Sequence, residues 1–295
     1  MDDALVREVA AIAEETQLEA AGVAIYDFAT SCDREVNGDR WFHAASTIKV
    51  AVLVALAAAD ADGRFDLSWR LAVRNRFLSA ADGRPFRVDP ARDANSEVHK
   101  HVGRTLRLEE LALHMIATSS NLATNLLLDL VGVDYARDVI TRLGIRGVDL
   151  HRGVEDERAF EAGINNQVTA RGLERLFRAI YEGQVGTPAG NRWMLHVLSQ
   201  QQFTSGIPAG LPEEVRAQAT VANKTGEISN MAHDAGLVFL PDESVYAIAV
   251  LTETKQGVTP RQQTVAQISR VAYEHLMTAR EQVTVAKSEP VPPEL

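Results

Sequence analysis

Ser46 and Lys49 stand three residues apart in His43-Ala-Ala-Ser-Thr-Ile-Lys-Val50, directly before the apolar run Ala51–Ala59. On a helix this spacing puts both side chains on one face, with Cβ atoms about 5–6 Å apart. A serine hydroxyl is a weak nucleophile until a neighbouring base takes its proton. A lysine serves as that base only when desolvation or a nearby cation lowers its pKa. Both conditions are available, because the pair opens a helix whose remaining face, Val50, Val52, Leu53 and Leu56, suits burial. The helix N-terminus also favours negative charge developing on Ser46. By itself the pattern is weak: roughly one such spacing arises by chance in a chain of this length. A capping serine followed by a snorkelling lysine explains it equally well.

Two further short motifs follow in order. Ser119-Ser120-Asn121 lies between two helical stretches, where a tight junction turns a hydroxyl and an amide into a cleft, or where an ordinary helix cap sits. Lys224-Thr225-Gly226 lies in a strand-like segment. Glycine weakens a strand and marks either close approach of another group or a bulge on an edge.

Taken together, S-x-x-K, S-x-N and K-T-G resemble the signature of the penicillin-recognising serine hydrolases, the class A β-lactamases and penicillin-binding proteins. The resemblance covers roughly Ala21–Leu276 and extends to Phe42–Val50, to Leu111–Leu128 with Ser120 for the usual Asp, and to Ile207–Pro212 ahead of Lys224. It implies that fold, and it implies roles. Ser46 is the acylated nucleophile and Lys49 its proton acceptor. Ser119 relays a proton to the leaving nitrogen, and Asn121 holds the substrate's side-chain amide. Lys224 and Thr225 bind the substrate carboxylate, with Gly226 completing the motif. The backbone N–H groups of Ser46 and Glu227 form the oxyanion hole, a feature worth roughly 3–4 kcal/mol per donor in other hydrolases.

The likeness thins in the loop 150–169, which lacks the family's E-x-x-L-N element. Glu155, Glu157 and Glu161 are the candidates to replace its deacylating glutamate, against the plain alternative of a solvated acidic loop. The arginine often found on the strand after K-T-G is also missing. Arg261 or His233 could supply that charge, while Asp234 and His233 could equally be structural. His43 is expected to be a half-buried, satisfied histidine.

The elements that must position these groups are discontinuous. Residues 4–16 carry helical periodicity, and Gly22–Phe28 alternates as a strand with a hairpin into Arg34–Val36. Residues 66–191 are helical and loop-rich with no convincing strand. Within them Arg76–Arg104 is a polar surface excursion, Thr105 is placed as the start of a helix, and Thr169 caps Ala170–Tyr181. Val221–Ile228, Ala235–Leu240 and Val245–Thr252 follow as strands, and Pro260–Thr278 as a closing helix. The expected class is therefore α/β (α+β): an antiparallel sheet flanked by helices with an inserted all-α subdomain. A single β-lactamase-like domain is expected. Its sheet part is drawn from about 4–60 and 192–278, its helical part from about 61–191, and a mobile tail from 281–295.

The 295 residues are 46% hydrophobic with a formal net charge of −10, which argues against nucleic acid or an anionic membrane surface as a partner. Cys32 is the sole cysteine, so no intrachain disulfide or cysteine-based metal site can form. The acidic start lacks the pattern of a signal peptide, which gives a cytoplasmic expectation. The substrate class expected is a small-molecule amide, lactam or ester, handled without metal or organic cofactor. Alternatives on the same fold are a cytoplasmic amidase, esterase or D-amino-acid peptidase, and a sensor that acylates once without turnover.

Overall fold

Strand β1 (Leu18–Asp27) is buried on both faces, and its alternation sorts two different cores. Val23 and Ile25 face one side; Ala24 and Tyr26 face the other. The computed structural model describes residues 3–288. β1 belongs to a five-stranded antiparallel sheet with β2 (Cys32–Val36), β3 (Thr220–Ile228), β4 (Met231–Phe239) and β5 (Val245–Thr254), in spatial order β3-β4-β5-β1-β2. The first strand pairs with the last, Leu18 opposite Thr254 and Asp27 opposite Tyr246. β3, which carries Lys224, Thr225 and Gly226, is an edge strand.

On the Val23 face lie α1 (Asp3–Glu15) and the long closing helix α8 (Gln262–Ser288), which contribute Leu5, Val9, Val265 and Ile268 to the smaller core. On the other face lie α6 (Ala170–Tyr181) and α7 (Pro188–Ser199), which pack against the sheet and lead into the helical layer. That layer surrounds α2 (Lys49–Ala61), which is buried from Lys49 to Ala59. A helix apolar on all sides is stable only when wrapped. Here α3 (Leu108–Ala117), α4 (Asn121–Val131), α5 (Val133–Arg142) and α7 wrap it. Thus α2 lies inside the helical layer although residues up to about 60 were expected with the sheet part. Thr169 caps α6 by accepting the Gly172 N–H at 2.9 Å.

The structure departs from the sequence reading in further places, and β4 starts at Met231 where Ala235 was expected. Residues 66–191 do contain strands, but each is only two or three residues long. Arg70–Ala72 pairs with Thr105–Arg107, and Gln167–Thr169 pairs with both Trp41–His43 and Val148–Asp149. Such short runs give alternation no room to show. Thr105 accordingly sits in a strand, and α3 begins at Leu108 with Glu110 accepting the Arg107 N–H at 2.8 Å. At the other end, residues 281–288, expected in a mobile tail, continue α8; residues 289–295 lie outside the described residues. Among the described residues no helix is long and apolar enough to cross a membrane.

Candidate active site

Ser46 does not start the α-helix. It sits in a 3₁₀ turn, Ala45–Ile48, that feeds into α2 at Lys49. Ala45, the residue before it, has φ +46°, a left-handed conformation that costs an L residue about 1–2 kcal/mol. The turn is held by the Ala45 N–H donating to His43 Nδ1 at 3.0 Å and by Thr47 Oγ1 donating to the Ala44 carbonyl. His43 is half-buried, and burial, then the Arg152 guanidinium, pushes its pKa down to about 4, leaving it a neutral acceptor. Ser46 is the partly exposed residue of the turn, between buried Ala45 and buried Thr47.

Lys49 is fully buried beneath it. Its Nζ donates to the Ser119 carbonyl at 2.6 Å, to Ser119 Oγ at 3.0 Å and to Asn121 Oδ1 at 2.8 Å. Burial holds the Lys49 ammonium well below the usual lysine range. The charge on Lys224 pushes the same way, and Asp93 and Glu155 pull back. Ser119 can present carbonyl and hydroxyl to one amine because its backbone is left-handed, φ +58°. It occupies the junction between α3 and α4, and Ser120 caps α4 by accepting the Ala123 N–H.

The third motif approaches from the sheet. A Cβ on Gly226 would stand 3.1 Å from the Ser46 backbone nitrogen, from Ala45 Cβ and from Thr47 Cγ2. Glycine is therefore what lets β3 lie against the turn that holds Ser46. Because β3 is an edge strand, every second residue turns its N–H away from the sheet. Lys224 is fully buried, donates to the Thr225 carbonyl at 2.8 Å, and is brought down to about 7 by burial, with Asp234 opposing. Thr225 is buried and Glu227 exposed.

The loop 150–169 distinguishes among the three glutamates. Glu155 Oε1 accepts from Asn121 Nδ2 at 2.5 Å, and Oε2 accepts the Asp89 N–H at 3.2 Å. Glu157 is exposed and paired with Arg92, and Glu161 is exposed. Glu155 is thus the one joined to the site, through a left-handed backbone of φ +60°. Eight non-glycine residues among those described have positive φ, and three of them, Ala45, Ser119 and Glu155, meet here. Such conformations persist where surrounding structure over-determines them, often at functional sites.

That over-determination comes from residues the sequence did not single out. Asn125 pins Val154 from both sides, accepting its N–H at 2.8 Å and donating to its carbonyl at 2.9 Å. Asn166 does the same for Arg152, with an extra bond from the His151 N–H. Asp93, in the stretch expected to be a surface excursion, has its side chain buried at the start of α4. The sequence offered no local signal for any of them beyond an amide or carboxylate in an otherwise ordinary segment.

His233 and Asp234 are both held by hydrogen bonds in the interior. His233 is buried, donates to the His43 carbonyl at 3.0 Å, and is pushed down to about 4 by burial. Asp234 accepts from Asn223 Nδ2 and the Ile207 N–H and is raised to about 6 by burial. Arg261 lies exposed ahead of α8.

The fold has relatives. No curated protein sequence matches the chain. Among solved structures, a β-lactamase from Sphaerobacter thermophilus is 29% identical with a TM-score of 0.78, over 94% of this chain and 98% of that one. PBP-A, at 24% identity and TM-score 0.77 over 94% and 97% of the two chains, shares the fold. So does a variant of the class A β-lactamase of the last common ancestor of Gram-negative bacteria, at 23% identity and TM-score 0.80 over 94% and 99%. A mutant of PBP-A has been solved as its acyl-enzyme complex with penicillin G. Residues 4–276 match the family model described as the β-lactamase enzyme family. The chain belongs to that family and is a β-lactamase-like serine hydrolase.

Proposed function

We propose that the protein hydrolyses a β-lactam or related amide through an acyl-enzyme on Ser46. The observation that carries this reading is the environment of Lys49: a fully buried amine, held well below its usual pKa, that bonds Ser119 Oγ and lies one turn from Ser46. The three bonds from Nζ describe the ammonium; with one proton lost and one of these bonds given up, the neutral Lys49 amine takes the Ser46 proton while Oγ bonds to the carbonyl carbon. The backbone N–H groups of Ser46 and Glu227 stabilise the oxyanion. When the tetrahedral intermediate collapses, the C–N bond breaks and the leaving nitrogen takes a proton through Ser119 Oγ, resupplied by Lys49. Lys224 and Thr225 hold the substrate carboxylate, and Asn121 its side-chain amide. Water then adds to the ester carbon, the C–Oγ bond breaks and Ser46 regains its proton. Glu155, the loop carboxylate that accepts from Asn121, is our candidate to activate that water.

Intact-mass measurement after mixing with penicillin G tests the reading. A stoichiometric adduct mapping to Ser46, absent in Ser46→Ala, is the expected result; an adduct on Ser119 or Ser120 would overturn it. A sensor that acylates without turnover is the second reading, because the loop 150–169 lacks E-x-x-L-N and Glu155 already accepts from Asn121 and the Asp89 N–H. Continued hydrolysis of a chromogenic cephalosporin, against a single burst, separates the two.

A further inference from the structure

Ser119 owes its position to a loop remote in sequence. Asp93 Oδ1 accepts the Asn121 N–H at 2.8 Å, while Oδ2 accepts the Leu122 N–H at 3.0 Å and Ser120 Oγ–H at 3.2 Å. One carboxylate thus receives donors from three consecutive residues at the start of α4, the end where the helix leaves N–H groups unsatisfied and favours negative charge. Two residues along the same loop, Asn95 Nδ2 donates to Thr118 Oγ1 at 2.7 Å. The loop therefore grips the chain on both sides of Ser119, at Thr118 and at Ser120–Leu122. Ser119 lies between these anchors with φ +58°, its carbonyl and hydroxyl both on Lys49.

Asp93 is itself well anchored. Its side chain is fully buried, its N–H donates to the Asp89 carbonyl at 3.1 Å, and His99 Nε2 lies 3.0 Å from Oδ2. The S-x-N motif here has Ser120 in its middle position, and a serine hydroxyl cannot accept two backbone N–H groups while carrying charge. We infer that Asp93 is a positioning residue of the active site, supplying from a separate loop the carboxylate that the Ser119–Asn121 segment lacks and so setting the geometry of Ser119 and Asn121 around Lys49. Asp93 does not reach the reacting atoms. It acts through the backbone it holds and through its charge. The charged groups that bear on Lys49 come from three directions: Lys224 on β3, Glu155 on the loop 150–169, and Asp93. The last two favour its protonated form and Lys224 opposes it.

This inference rests on acylation at Ser46 for its catalytic part, so the test has two arms. In the first, hydrogen exchange of the Asn121 and Leu122 amides is compared in wild type, Asp93→Ala and the double variant Asp93→Ala/Ser120→Asp. Exchange is expected to speed up at least tenfold in Asp93→Ala and to return most of the way when the carboxylate is moved to position 120. In the second arm, the acylation rate of Ser46 is followed by mass spectrometry with penicillin G and with a fluorophosphonate. Asp93→Ala should acylate at least tenfold more slowly, and the double variant should recover most of the loss. Asp93→Asn should move the acid limb of the acylation profile to lower pH by removing a charge that favours protonated Lys49. Unchanged exchange in Asp93→Ala overturns the inference whatever Ser46 does. Faster exchange with unchanged acylation reduces Asp93 to a helix cap and also overturns it. An adduct on another serine overturns the proposed mechanism instead, and the exchange arm still decides whether Asp93 positions the segment. Should Asp93→Ala fail to fold, a folded double variant with near-wild-type exchange and acylation supports the inference, and a folded one without them overturns it.

Discussion

Glu155 reaches the active site through Asn121, by a 2.5 Å hydrogen bond from Nδ2 to Oε1. The oxygen of the same amide takes a 2.8 Å bond from Lys49. A single side chain therefore spaces the one carboxylate of the loop that joins the site from the amine proposed to start the reaction. Release of the acyl group needs a base within reach of the attacking water, and Glu155 is already committed to the amide and to the Asp89 N–H. Acylation by penicillins is expected to outpace release, leaving a penicilloyl adduct visible within seconds to minutes. Glu155→Gln should lengthen its lifetime roughly tenfold or more, with Glu157→Gln and Glu161→Gln leaving it unchanged. Rapid wild-type turnover with no detectable adduct would show that the loop is a competent base after all.

Lys49→Arg keeps the charge but removes the proposed base, since a guanidinium does not deprotonate in proteins. Acylation should fall by roughly 10² to 10⁴ in stopped-flow or mass-spectrometric measurement. A variant within about threefold of wild type would point to another base.

Lys224 gives the pH dependence a direction. Brought down to about 7 by burial, it is charged below that pH and neutral above it. For a substrate that carries a carboxylate, kcat/KM should fall as pH rises through about 7, because the free enzyme loses the cation that pairs with it. A neutral ester should show no such fall. Measuring both substrates from pH 5 to 9 checks this, and identical alkaline limbs would remove Lys224 from carboxylate recognition.

Gly226→Ala places a methyl group 3.1 Å from the Ser46 nitrogen, so β3 and the nucleophile turn must part by a few tenths of an ångström. Misaligning one oxyanion donor is expected to slow acylation by about tenfold, short of the 10²–10³ seen when such a donor is removed. Circular dichroism should report a folded protein. Wild-type acylation by Gly226→Ala would mean that the close approach of strand and turn has no catalytic role.

The sequence carried the reactive groups because each motif is local: a hydroxyl three residues from an amine, a hydroxyl two from an amide, a cation two from a glycine. It also carried the large elements, since β1, β3, β4, β5 and α6 have periodicity or caps that survive in isolation. It was silent on Asp93, Asn125 and Asn166, whose partners lie 28, 29 and 14 residues away for the bonds to Asn121, Val154 and Arg152. An Asx residue in a polar stretch looks the same whether it faces water or clamps a backbone. Ser46 in a 3₁₀ turn was equally hidden, because the left-handed Ala45 is imposed by tertiary contacts and not by its own preference. For α8 the polar composition of residues 281–288 suggested an end that the helix runs through.

Pairing of β1 with β5 has a consequence for how the enzyme comes into being. Leu18 meets Thr254 and Asp27 meets Tyr246, so the central ladder closes only after more than two hundred intervening residues have been synthesised. Loop closure over such separations slows folding, and domains emerge from the ribosome as units. The nascent chain presents Ser46 and Lys49 early, but without β3 it has neither Lys224 nor the Gly226 approach. Ser46, the proposed nucleophile, is therefore made long before it can be armed, and reactivity has to wait until β3, β4 and β5 have been translated.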